Sequence, residues 1–153
     1  THHLLDLNLD FLSEMEHVVL TREPAAMIQS FSKVIEFPKA KDLGYEDHLR
    51  LIETFKERNV QFHVVDSKDI LERPEQRLDV LCRAVGIPFS KAMLHWAKRA
   101  RKEDGIWAKH WYHSVHDSDS FQKPVKKPES EPREDLKDLI QNSQLLYQQI
   151  IKA

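Results

Sequence analysis

An arginine that closes an apolar run and a serine eight residues later, in HVVLTREPAAMIQSF (17–31), are the residues of this chain best placed to do chemistry. A guanidinium presents a planar fork of donors that matches phosphate. Beyond the carboxyl end of a strand, Arg22 stands where ligands collect in open α/β sheets. The helix opened by Pro24 adds backbone N–H groups and a partly positive end. Ser30 lies about two turns along that helix and reaches the same anion if its face looks back across the site. The same residues fit a plainer arrangement, in which Arg22 pairs with Glu23 or Asp66 and Ser30 is a small packing residue.

Other reactive side chains carry less. His110, His113 and His116 are three apart, a spacing with which a helix can hold zinc, but no cysteine or paired acidic ligand completes the set, so they are assigned to polar contacts or the surface. Cys82, in LDVLCRAV, keeps register with Leu78, Leu81 and Val85 and reads as a helix core position. With one cysteine, no internal disulfide forms, and a reducing, cytoplasmic setting is expected. No glycine-rich GxxxxGK loop occurs.

The elements that must position Arg22 follow from periodicity. HVVLT (17–21) and QFHVVD (61–66) read as strands, rich in β-branched and apolar residues. Between them lie the helix begun by Pro24, an irregular stretch around Pro38 and Gly44, and an amphipathic helix marked by Leu49, Ile52 and Phe55. Pro74 opens a third helix, which Gly86 and Pro88 end. Two strands joined by a helix-bearing crossover predict a parallel sheet covered by helices, although two strands make a thin one. Prolines at 124, 128 and 132 among mixed charges mark 122–134 as an extended linker. Leu136, Leu139, Ile140, Tyr147 and Ile150 give residues 135–153 one apolar helical face for docking.

Composition bounds the partners. The 153 residues carry a net charge of -2, which gives no global attraction to nucleic acid or an anionic membrane, so an anion site must be built from a few placed groups. No apolar stretch approaches the roughly 20 residues of a membrane-spanning helix, and no basic-then-apolar leader marks secretion.

HVVLTREPAAMIQSF resembles the segment with which P-loop sulfotransferases hold the 3'-phosphate of 3'-phosphoadenosine-5'-phosphosulfate. It has the apolar strand, the arginine (Arg22), the proline (Pro24) and the serine (Ser30) in that order. VVDSKDILERPEQRLDVLCRAVGIPF is similar to the family's later strand, turn and helix. The likeness covers roughly residues 1–121 and is nearest to a divergent group that includes plant members named after branched-chain aminotransferases. Nothing here marks a pyridoxal-binding lysine, so that naming implies no transaminase. THHL resembles the stretch carrying the family's catalytic base, which places His2 or His3 in that role; both equally suit exposed polar positions. KEDGIWAKHW (102–111) is similar to the late segment that closes over the 3'-phosphate, with Gly105 as its glycine and Arg101 as a second phosphate donor. It departs from the pattern in having its lysine one position late and Glu103 in place of an earlier glycine.

The resemblance implies a partial three-layer α/β parallel-sheet fold of the P-loop nucleoside triphosphate hydrolase type, lacking the first strand and phosphate loop. It implies a sulfotransferase-like domain over 1–121, followed by the linker at 122–134 and the closing helix at 135–153. In complete form such a domain transfers a sulfuryl group from 3'-phosphoadenosine-5'-phosphosulfate to a hydroxyl or amine acceptor. The partners implied are a nucleotide and a small-molecule acceptor, with a homo-oligomer or a segment preceding Thr1 left open. Without the phosphate loop the chain alone is expected to be inactive, as a fragment or a degenerate copy. The alternative is a noncatalytic α/β interaction or degenerate nucleotide-binding domain.

Overall fold

The computed structural model describes residues 8–106, 108–123 and 133–153. In chain order the elements are β1 (His17–Thr21), α1 (Pro24–Phe31), α2 (Ala40–Leu43), α3 (Tyr45–Glu57), β2 (Phe62–Asp66), α4 (Ser67–Glu72), α5 (Pro74–Ala84), α6 (Ala108–Trp111), α7 (His113–His116) and α8 (Lys137–Ile151). Short 3-10 turns occupy Asp10–Glu14, Lys91–Leu94, Lys102–Asp104 and Glu134–Leu136. The chain divides into two compact units, Thr1–Lys68 with Lys126–Ala153, and Asp69–Val125.

In the first unit β1 and β2 pair in parallel, with His17 opposite Phe62 and Thr21 opposite Asp66. Strand geometry sends alternate residues to opposite faces. Val19 and Thr21 are buried on one face, while Val18 and Leu20 are 44% and 56% exposed on the other. The buried face meets Ile28 of α1, Ile52 and Phe55 of α3, and Leu136 and Ile150 from the closing segment, all in one apolar cluster. Leu139 and Ile140 pack against its edge, so α8 is a core element of this unit. Pro24 sits at the start of α1, where the N–H it lacks would have had no helical partner.

The second unit is built on α5, whose free Cys82 is buried with its sulfur 3.8 Å from that of Met93. Gly86, at φ +71°, takes the left-handed turn that ends α5, and the Ile87 N–H closes back on the Cys82 carbonyl at 2.9 Å. Trp96 and Phe121 meet edge to face at 5.2 Å beside an isolated antiparallel bridge between His95 and Ser120.

Among the described residues the sheet has two strands and helices predominate, so the three-layer parallel-sheet fold of the P-loop type is not what forms. A nucleotide-binding cleft raised on such a sheet falls with it. The physical reason lies in the sequence: only HVVLT and FHVVD are uninterrupted runs of strand-forming residues, and elsewhere Pro, Gly and charge break the apolar pattern into helices and short turns. No helix among the described residues is long and apolar enough to cross a membrane.

Candidate functional site

Parallel pairing brings the carboxyl ends of β1 and β2 side by side, with Thr21 and Asp66 opposite one another and Arg22 next along the chain. Two carboxylates flank Arg22, and each is engaged elsewhere. Glu23 precedes α1, and its carboxylate accepts the N–H groups of Ala25 at 3.1 Å and Ala26 at 2.9 Å. It is the N-cap of that helix. The helix end expected to help bind an external anion is thus already filled by an internal one. Asp66 uses Oδ1 to accept the Lys68 N–H at 2.7 Å and Oδ2 to accept the hydroxyl of Tyr147 from α8.

Half-buried Arg22 is therefore left with no carboxylate partner for its guanidinium among the described residues. Its own carbonyl accepts the Tyr45 hydroxyl at 2.7 Å, which fixes the backbone from which the side chain departs. Burial pushes the Tyr45 hydroxyl far above the usual phenol range; Glu23, Tyr147 and Asp66 reinforce the shift and Arg22 opposes it. Tyr45 accordingly stays protonated and acts as a donor. Thr21 is 3% exposed, and its Oγ1 has no hydrogen-bond partner among the described residues. A guanidinium without a carboxylate partner among the described residues, at the open end of two strands, is chemistry for holding an anion, whereas the Thr21 hydroxyl is buried on the core face.

The other predicted residues are placed differently. Ser30 is exposed on α1, and no contact among the described residues joins it to Arg22. His2 and His3 lie outside the described residues. Arg101 and Gly105 belong to the second unit, where the exposed Arg101 donates its backbone N–H to Asp104 Oδ2 at 2.8 Å. The same oxygen lies 2.8 Å from His116 Nε2. These two contacts, the Arg101 N–H first, hold the Asp104 carboxyl below the usual range. No cluster of metal-ligating side chains occurs among the described residues.

Gly105 adopts φ +73° and ψ -178°, a region that residues with a Cβ avoid, although open space surrounds it. Its requirement is conformational. Gly105→Ala should destabilise this turn by about 1–3 kcal/mol, seen as faster hydrogen exchange at residues 101–116 with the first unit unaffected.

A hollow of about 470 Å³ opens in the second unit between Arg73, Gln76, Leu94, His95, Ser120 and Phe121 and touches none of the predicted site residues. The guanidinium without a carboxylate partner among the described residues is at the strand ends instead. Sequence reasoning missed Thr21, Tyr45 and Tyr147 there. Strand alternation marks Thr21 as inward-facing, whereas no local signal ties Tyr147 to Asp66.

A family model described as "Sulfotransferase domain" matches residues 1–153. Two curated relatives come from Arabidopsis thaliana. "Branched-chain-amino-acid aminotransferase-like protein 1" is 33% identical over 144 residues, covering 94% of this chain and 26% of that protein. "Branched-chain-amino-acid aminotransferase-like protein 2" is 32% identical over 130 residues, covering 84% of this chain and 23% of that protein. The chain thus spans about a quarter of the length of the curated relatives it matches. No solved structure matches it at a significant level.

Proposed function

Since the chain belongs to the sulfotransferase family, we propose that it forms the phosphate-anchoring part of a sulfotransferase, which moves a sulfuryl group from 3'-phosphoadenosine-5'-phosphosulfate to a hydroxyl or amine acceptor. One observation carries this: a half-buried arginine at the strand ends whose two neighbouring carboxylates are both engaged elsewhere. The Arg22 fork takes the donor's 3'-phosphate, and Ser30 adds a hydroxyl. Their contribution is orientation, which holds sulfur in line with the acceptor. The acceptor oxygen or nitrogen bonds to sulfur as the sulfur–oxygen bond to the 5'-phosphate breaks, and the bonding pair leaves with the phosphate. His2 or His3 takes the acceptor proton. The setting is cytoplasmic, consistent with the single buried thiol.

Glu23 favours a second function, a noncatalytic interaction domain. Its carboxylate occupies the helix end where an external phosphate would bind, and Val18 and Leu20 leave one sheet face open.

Calorimetric titration of the full-length protein with adenosine 3',5'-bisphosphate and with adenosine 5'-monophosphate separates the two. Arg22→Ala should weaken the bisphosphate by about ten- to a hundredfold, from the loss of a charge-assisted contact, and leave the monophosphate nearly unchanged. Arg22→Lys should recover only part, because it keeps the charge without the fork. Equal losses for both ligands, or none, would return Arg22 to a structural role and favour the interaction domain.

A further inference from the structure

Arg22 and Asp66 are natural partners that are kept apart. Thr21 sits directly opposite Asp66, so the arginine is one residue from a carboxylate on a strand only about 4.8 Å away. An arginine and a carboxylate within reach of one another can form a charge-assisted pair, and had these two done so, the guanidinium would be spent on an internal contact. What intervenes comes from the far end of the chain. Leu136 and Ile150 seat the closing segment in the core, and between them α8 presents Tyr147, whose hydroxyl donates to Asp66 Oδ2. The Lys68 N–H takes Oδ1. Both oxygens of Asp66 are thereby occupied by neutral donors.

We propose that Tyr147 is a positioning residue for the strand-end site: by holding the Asp66 carboxylate, it keeps the Arg22 guanidinium available to an external phosphate. This rests on Arg22 being the donor-phosphate contact, and it adds α8 to the machinery of the site. Glu23 is held in the same sense by the first turn of α1, so each carboxylate beside Arg22 has its own restraint. Arg22 and Glu23 from the end of β1, Asp66, and Tyr147 from α8 all act on the Tyr45 hydroxyl of α3, and Asp66 itself is touched by the Lys68 N–H and the Tyr147 hydroxyl. Arg22 is the cation of this set that removal of the Tyr147 hydroxyl would let Asp66 engage. Tyr147→Phe keeps the ring and removes the hydroxyl that donates to Asp66.

The first readout needs no ligand. Carbon-detected NMR titration follows the Asp66 carboxyl in the wild-type chain, Arg22→Ala, Tyr147→Phe and the double variant. In the wild-type background Arg22→Ala should barely move the Asp66 midpoint. In the Tyr147→Phe background it should raise the midpoint, the effect of removing an opposite charge from close range. If Arg22→Ala shifts Asp66 equally in both backgrounds, Tyr147 does not keep the two apart and the proposal is overturned.

The second readout is affinity for adenosine 3',5'-bisphosphate in the full-length protein. Tyr147→Phe should weaken it by about two- to fivefold, the worth of a competing solvent-accessible ion pair. In an Asp66→Asn background the same change should have no effect, whereas a merely structural tyrosine would cost affinity in both. A background-dependent Asp66 shift in a protein that ignores the 3'-phosphate supports the positioning by Tyr147 and overturns the donor-phosphate reading of Arg22.

Discussion

Phe55→Ala should remove about 3–5 kcal/mol from the stability of the first unit, because it deletes a large buried ring and leaves a cavity that its neighbours fill only in part. Phe55 is 1% exposed, and its ring stacks on His17 at 4.5 Å and on Phe62 at 5.5 Å. Those contacts join α3 to the opening residue of each strand, and His17 and Phe62 are themselves a register pair. The residue thus ties the sheet to its covering helix at one point, and α3 ends nearby, where the Val60 N–H returns to the Phe55 carbonyl at 2.8 Å. Urea unfolding followed by circular dichroism checks this. The midpoint should fall with little change in slope, since the surface exposed on unfolding is nearly the same. A loss below about 1 kcal/mol would mean that the site collapses around the deletion or that the ring is not central to the core.

Ile150→Ala should cost about 2–5 kcal/mol for the same combination of lost transfer energy and residual cavity. The informative control is the next residue. Ile150 is 0% exposed and belongs to the core cluster, whereas Ile151 is 43% exposed. Ile151→Ala should stay within about 0.5 kcal/mol of wild type, as surface changes generally do. Equal effects at the two positions would mean that α8 is not docked on the face described. A large loss at 150 alone establishes that the last turn of the chain belongs to the fold, and with it the helix that carries Tyr147 to Asp66.

Local pattern was a sound guide wherever the physics is local. Pro24 and Pro74 open α1 and α5, and Gly86 closes α5, because a missing N–H and a left-handed φ act within one turn. Leu136, Leu139 and Ile140 turn inward as their spacing requires. Family membership was legible as well, since HVVLTREPAAMIQSF holds its arginine, proline and serine within one strand–helix corner. The three-layer sheet was not. It came from the resemblance, and the described residues contain only two strand-forming runs.

At the site the division is sharper. The sequence by itself placed Arg22 at the end of an apolar strand beside a helix start, and it left open whether Glu23 or Asp66 would claim the guanidinium. Neither does: the Glu23 half of that outcome is local, and only the Asp66 half was decided by the tertiary structure. Glu23 turns to the N–H groups of Ala25 and Ala26, a choice set by its backbone at φ -56° and ψ 132°. Asp66 is taken by a hydroxyl 81 residues away, delivered by a helix whose position depends on core packing at Ile150 and Leu136. Hydrophobic periodicity states which face of a helix is buried, but not which polar group that burial brings against a distant carboxylate. The partner of a charge is settled by packing summed over the whole unit, and the freedom of Arg22 is a consequence of that sum.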